Sequence, residues 1–309
     1  MIQMFTQIVS TRNRNATFTV ILLLFIILTT MPDASGVSQE LATTPSDLSD
    51  ANVAIYSGEG VLGSSALALR NMFLWMNATV DFVDGFQIRN GTLDSCDILV
   101  FPGGSAVDFR YYLEPEGLEL VREFVRNGGS YFGICGGSLF ATNSVLGLFN
   151  GSYSNPVNGS GTYLIEMLVN QSSAGPDLAT EPESYQTLYW ASAYFYSDDM
   201  SNVIPICTYP SNGRPGMIAF TYGEGTAFLS SPHPEYEEGD IRDGTPVYDY
   251  MNDPDSEWNL LLKVSRWLVD ESMSQSSPGG IPMSTFFILG TVGLLGLVSV
   301  TFLVRYRRS

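Results

Sequence analysis

Between residues 52 and 135 the sequence repeats one pattern: a short apolar run bounded by turn-forming residues, followed by a stretch with helical spacing. The runs are Asn52-Val53-Ala54-Ile55-Tyr56-Ser57 before Gly58, residues 79–83, Asp97-Ile98-Leu99-Val100-Phe101 before Pro102-Gly103-Gly104, and Ser130-Tyr131-Phe132-Gly133-Ile134 before Cys135. Strands with one wet face alternate polar and apolar side chains, whereas uninterrupted apolar runs need cover on both faces, as in a parallel sheet layered with helices. The helical stretches are residues 64–76, with Leu67, Leu69, Met72 and Phe73 recurring on one side, and residues 116–126, with Leu118, Val121, Phe124 and Val125. The second closes at Asn127-Gly128-Gly129, a left-handed helix stop, and a third helix is expected over residues 136–146.

Residues 150–202 are rich in Ser, Asn and Gly, and strands are expected there at 162–168 and 187–190, then at 203–209, 216–222 and 225–231. These predict an antiparallel extension of the sheet. A final helix over 256–271 places Trp258, Leu261, Leu262, Ser265 and Leu268 on one stripe. The expected class is thus α/β, a three-layer sandwich with a mainly parallel central sheet, an antiparallel extension and no internal repeat.

Two charge-free stretches bracket this domain. Residues 16–31 follow Arg12 and Arg14 and precede Pro32 and Ala34-Ser35-Gly36, the layout of an export signal or an uncleaved N-terminal anchor. Residues 283–304 are long enough, at ~1.5 Å per residue, to cross ~30 Å of hydrocarbon, and they end in Arg305-Tyr306-Arg307-Arg308. Basic flanks stay cytoplasmic, so both ends predict an extracytoplasmic middle held at the cell membrane by a single C-terminal helix. The expected division is a signal or anchor over 1–36, a linker over 37–50, the domain over 51–271, a Ser/Pro/Gly-rich tether over 272–282, the transmembrane helix over 283–304 and a tail over 305–309. Five Asn-x-Ser/Thr triplets, at Asn77, Asn90, Asn150, Asn158 and Asn170, are candidate glycosylation sites of such a domain.

Charge excludes one class of partner. With 14 Lys+Arg against 32 Asp+Glu the net charge is −18, which gives the chain no electrostatic reason to bind nucleic-acid phosphates. Three cysteines in an exported chain leave at least one thiol unpaired, with Cys135 the natural free one; Cys96 and Cys207 either pair or stay separate.

The chemistry concentrates at two points. Gly133-Ile134-Cys135-Gly136-Gly137 sets a cysteine between a buried strand and a helix, with small residues where a sharp turn needs them, as in a nucleophile elbow. The only histidine, His233, lies in His233-Pro234-Glu235 after an apolar run. A thiol attacks as thiolate, so it gains from an imidazole to take its proton, a carboxylate to orient that imidazole and the positive end of a following helix. The Gly136 amide, with that of Gly103 or Gly104, is the expected oxyanion hole. Such a set needs no cofactor and no metal. Nine carboxylates over residues 235–257 lack the Asp-x-Asp-x-Asp-Gly spacing of a calcium loop and are expected as an acidic loop over the cleft, disfavouring anionic substrates.

Phe101-Pro102-Gly103-Gly104, the run from Asn127 through Gly137, and Ser231-Pro232-His233-Pro234-Glu235, taken in order, resemble the class I glutamine amidotransferase-like superfamily, and within it the domain at the N-terminus of some biotin-protein ligases. The resemblance implies a flavodoxin-like sandwich with Cys135 as nucleophile, His233 as base and Glu235 as third member. Leu139 stands where glutamine-hydrolysing members carry glutamine, and no ligase or synthetase domain accompanies the motifs. Two functions are therefore expected: a cysteine hydrolase of a small-molecule or peptide amide, or a ligand-binding or interaction domain that keeps the scaffold without turnover.

Overall fold

A computed structural model describes residues 46–276 apart from positions 238, 240 and 254. The charge-free stretches at 16–31 and 283–304 and the tail at 305–309 lie outside the described residues, among which no helix is long and apolar enough to cross a membrane.

The elements are β1 (Asn52–Tyr56), α1 (Gly63–Trp75), β2 (Thr79–Val83), α2 (Gly85–Arg89), β3 (Ile98–Phe101), α3 (Ala106–Arg126), β4 (Ser130–Ile134), α4 (Gly136–Phe140), β5 (Ser152–Tyr153), β6 (Thr162–Val169), β7 (Ser184–Trp190), β8 (Phe195–Tyr196), β9 (Val203–Thr208), β10 (Pro215–Tyr222), β11 (Gly225–Ser230) and α5 (Trp258–Ser276). Nine strands form one sheet in the order β2-β1-β3-β4-β11-β10-β9-β6-β7, while β5 and β8 make a separate pair. The five strands from β2 to β11 run parallel and the remaining four add on antiparallel, so a parallel body with an antiparallel extension is found as expected, but β11, expected in the extension, pairs parallel with β4 and belongs to the body.

The uninterrupted apolar runs follow from the pleat. Successive side chains point to opposite faces, and here both faces are dry. Val53, Ile55, Ile98, Val100, Phe132 and Phe228 join one core with α1 and α5, while Ala54, Tyr56, Leu99, Phe101, Tyr131 and Leu229 join the other with α3 and α4. Each fully buried Phe, Leu or Ile contributes about 1.5–3 kcal/mol, so a single polar substitution in these runs would disturb one core without sparing the strand.

Three helices and one linker residue depart from their expected bounds. α3 begins at Ala106, ten residues before the expected 116, because Ser105 caps it through the Asp108 amide; Pro115 then breaks the helix at Glu114 (φ 60°) rather than preventing it. α4 stops at Phe140, well short of 146, because the Thr142 hydroxyl donates to the Leu139 carbonyl and Asn143 donates to Gly151, diverting the chain. The last helix continues to Ser276, into the stretch expected as tether. Leu48, in the expected linker, is buried in the first core.

Candidate functional site

Three adjacent parallel strands, β3, β4 and β11, end at the same edge of the sheet and carry, respectively, Pro102-Gly103-Gly104, Cys135 and the His233-Pro234-Glu235 segment. Loops at the carboxyl ends of parallel strands are where open α/β sheets gather functional groups.

Cys135 occupies a strained turn, with φ 48° and ψ −114°, a region that side-chain-bearing residues seldom adopt. It is fixed on both sides: its amide donates to the Ser230 carbonyl (2.7 Å), and its own carbonyl accepts from the Leu139 amide (3.0 Å) and the Ser138 hydroxyl (2.7 Å). The neighbouring glycines answer to crowding. A Cβ on Gly136 would lie 1.9 Å from the Gly104 carbonyl oxygen, and one on Gly137 would lie 2.0 Å from that of Phe101. Because the strain is local, Cys135→Gly is expected to be more stable than Cys135→Ala by about 1 kcal/mol, the reverse of the usual order. Thermal denaturation of the two thiol-free variants measures it, and an alanine variant equal to or above the glycine variant would remove strain from the account.

His233 and Glu235 are both 0% exposed, and His233 Nδ1 meets Glu235 Oε1 at 2.9 Å. The His233 amide donates to the Leu188 carbonyl, and the Trp258 indole N–H donates to the Glu235 carbonyl (3.1 Å), so the segment is held by β7 and α5. The same Glu235 oxygen accepts a second hydrogen bond, from the buried Ser65 hydroxyl at 2.7 Å. Ser65 in turn accepts the Gly103 amide at 2.9 Å. A relay thus runs from the Pro-Gly-Gly turn through Ser65 and Glu235 to the imidazole. It corrects one expectation: the Gly103 amide, a candidate oxyanion donor, is committed to Ser65. The Gly136 amide lies against the Cys135 sulfur.

The other imidazole nitrogen, Nε2, is buried without a well-formed hydrogen bond, and His233 and Cys135 couple through space. Burial pushes the Cys135 thiol up, but the charge and hydrogen bonding of His233 more than reverse this, and the thiol sits below its ordinary value. Burial alone would depress His233; the Glu235 carboxylate and the Cys135 thiolate overcome it, raising the imidazole well above the usual histidine range. Both directions favour a thiolate–imidazolium pair. The helix dipole expected to help is curtailed, since α4 spans five residues, and the Gly136 amide takes its place.

Cys135 is half-buried, and the fully buried imidazole lies beside an aromatic wall. The Trp190 ring is 5.9 Å and the Tyr236 ring 5.7 Å from that of His233, and Tyr248 packs edge-on against both, at 6.2 and 5.3 Å. Ser65, Trp190, Tyr236 and Tyr248 escape a reading of sequence alone. Ser65 looks like any helix residue, and the rings become neighbours of His233 only through the fold.

The acidic loop is ordered around one cation. Arg242 lies 4.3 Å over the Trp258 ring and 5.4 Å over that of Trp75, and it donates to Glu237 and Ser256. Asp253, Asp255 and Glu257 bring one oxygen each within 4.8 Å of one another, and Asp255 also accepts the Gln186 amide of β7. All three cysteines are free thiols. Cys207 is fully buried, and Cys96 donates to the Ile98 carbonyl, which settles the open pairing in favour of separate thiols. Asn77, Asn90, Asn150 and Asn158 are exposed, whereas Asn170 is half-buried with its side-chain amide donating to the Pro205 carbonyl.

Residues 51–150 match the family described as biotin-protein ligase, N terminal. The chain is 24% identical over 261 residues to the biotin-protein ligase of Schizosaccharomyces pombe, covering 76% of this chain and 40% of the ligase. It is 27% identical over 213 residues to an uncharacterised protein of Chlamydia muridarum, covering 60% of this chain and 80% of that one. Among solved structures, PurLQS from Thermotoga maritima aligns with a TM-score of 0.51 at 15% identity, over 70% of this chain and 98% of that one. The chain is thus similar to biotin-protein ligases, with residues 51–150 matching the family of their N-terminal region, and its domain has an α/β fold with a mixed, mostly parallel central sheet.

Proposed function

We propose that the domain is a cysteine hydrolase of amides or similar acyl bonds, with Cys135 as nucleophile, His233 as proton carrier and Glu235 as the carboxylate that holds the imidazolium. One observation carries the reading: a depressed thiol on a strained turn, paired with a buried imidazole that a carboxylate fixes at 2.9 Å. In the proposed cycle the thiolate adds to the carbonyl carbon, and the Gly136 and Gly104 amides receive the oxyanion. His233 Nε2 then delivers its proton to the departing amine, leaving a thioester on Cys135. Water, deprotonated by the now neutral imidazole, attacks the thioester, and the C–S bond breaks to release the acid and restore the thiolate–imidazolium pair. Ser65 acts through Glu235 as a positioning residue.

Location is part of the same proposal. The charge-free stretch at 283–304 with its arginine tail, and the exposed sequons, support an exported domain held at the membrane. A second reading, a binding domain without turnover, is favoured by Leu139 at the position where glutamine-hydrolysing relatives of the fold carry glutamine.

Acyl capture separates the two. The full chain, incubated with a panel of activated amides and thioesters, is expected to gain the mass of the acyl group on Cys135 and to lose it with time, and Cys135→Ala gains nothing. Reversible binding of the same compounds without any adduct, at wild-type Cys135, would favour the binding domain.

A further inference from the structure

A pocket of about 820 Å³ opens where β1 and β2 end, on the same edge of the sheet as Cys135 but with no residue of that site in its lining. Its floor includes Tyr56, and its wall includes Glu59, Asp84 and Phe86 with Tyr111 and Tyr112. Three features set its chemistry. First, the Tyr56 side chain is fully buried, stacked at 4.9 Å on Phe101, and its hydroxyl has no hydrogen-bond partner. An orphaned buried hydroxyl costs about 1–3 kcal/mol, so its retention where a phenylalanine would pack equally well points to something that completes it.

Second, the charges do not balance. Glu59, Asp84 and Glu114 face one cation, Arg89, and that guanidinium is already taken up by the Tyr112 and Leu113 carbonyls and by Glu114 at 3.3 Å. Burial, then Asp84 and Glu59, push the Tyr56 phenol up to about 12, which leaves it protonated, with a free oxygen lone pair to accept a hydrogen bond. Third, the rim is aromatic and open: Phe86 is 66% and Tyr111 73% exposed. Asp84 gives one oxygen to the Gln87 amide as the cap of α2, which leaves its charge unneutralised, and ring faces beside such carboxylates attract cations and exclude anions.

We infer that this pocket binds a small primary ammonium ion with an apolar body, its N–H groups donating to the Glu59 and Asp84 carboxylates and to the Tyr56 oxygen while its body stacks on Phe86 and Tyr111. A quaternary ammonium would satisfy the rings but not the phenol, and a neutral isostere would leave the carboxylates unmatched. The inference stands apart from the Cys135 reading, since none of these residues lies at that site.

Calorimetric titration of the full chain, held in a neutral maltoside detergent, tests it with benzylamine and its uncharged isostere benzyl alcohol. Benzylamine is expected to bind saturably, about tenfold more tightly than the alcohol, and to weaken as salt is added. Glu59→Gln and Tyr56→Phe are each expected to weaken benzylamine by about threefold or more. Tyr56→Phe decides the matter, because deleting the orphaned hydroxyl should leave the unliganded fold as stable as before or more so. Cys135→Ser should bind as the wild type does. Equal binding of amine and alcohol, no saturation with benzylamine, or a Tyr56→Phe variant that folds and binds unchanged would each overturn the assignment.

Discussion

At mildly acidic pH, iodoacetamide is expected to alkylate Cys135 first and fast, leaving Cys96 and Cys207 untouched, and His233→Ala is expected to slow the Cys135 reaction by about 100-fold or more. The size follows from opposing terms. Burial raises all three thiols, taking Cys96 up to about 12 and Cys207 higher still, and only at Cys135 does a neighbouring imidazolium turn the shift downward. Removing that charge leaves Cys135 to burial and the Glu235 charge, opposed only by the Gly136 amide, and each unit of upward shift lowers the thiolate fraction about tenfold.

The sign is fixed by the pair. Reactivity persists down to the depressed thiol value and falls below it, as the thiolate is protonated. Stability behaves likewise: the Cys135 contribution is present above the ordinary thiol range and is lost as pH falls through its lowered folded value. That of His233 is present below the ordinary histidine value and is lost only as pH rises through its raised folded value. Mass spectrometry of timed digests across pH measures the alkylation. A Cys135 that reacts no faster than an ordinary thiol, or a His233→Ala variant that reacts as fast as wild type, would falsify the ion pair and with it the hydrolase reading. Ser65→Ala, which leaves Glu235 with one partner fewer, should fall between wild type and His233→Ala in the same assay.

Much of this site is legible in the sequence for a simple reason: every motif sits where an apolar run ends. A strand that needs cover on both faces must be central, and central parallel strands deliver their C-terminal loops to one edge, so Gly103, Cys135 and His233 are bound to meet if β3, β4 and β11 are neighbours. Chain order does not reveal that adjacency, because β11 begins at Gly225, 90 positions after Cys135, and joins β4 only through the sheet, Leu229 beside Gly133. Ser65 is illegible because its value lies in two contacts, with residues 38 and 170 positions away. The length of α4 is misread for the converse reason: residues 141–146 have helical spacing, but the Asn143 amide is drawn to Gly151 across a turn. Leu48 and the end of α5 show the same bias at the domain's margins. Composition marks both as linker, whereas Leu48 is buried against the first core and the helix that packs there runs on to Ser276.

A methyl group placed on the elbow should do more damage than any polar deletion around it. Gly136→Ala is expected to destabilise the domain by about 3 kcal/mol, because its Cβ would come within 1.9 Å of the Gly104 carbonyl, a backbone atom that cannot swing aside as a side chain can. At about 2–4 °C per kcal/mol for a domain of this size, the melting temperature should drop by about 6 °C or more. Gly63→Ala is the matched control: nothing lies within 4 Å of its Cβ, and at the start of α1 the exchange should be neutral or slightly stabilising. Whatever fraction of Gly136→Ala still folds must push the Pro-Gly-Gly turn outward, and that turn supplies the Gly103 amide on which Ser65, and through it Glu235, depends. Alkylation of Cys135 in the folded fraction should therefore slow as well, although neither the thiol nor the histidine has been changed. Equal melting of the two alanine variants would mean that the elbow and the turn are not in contact. A destabilised Gly136→Ala that retains wild-type alkylation would mean that the relay through Ser65 does not position the imidazole.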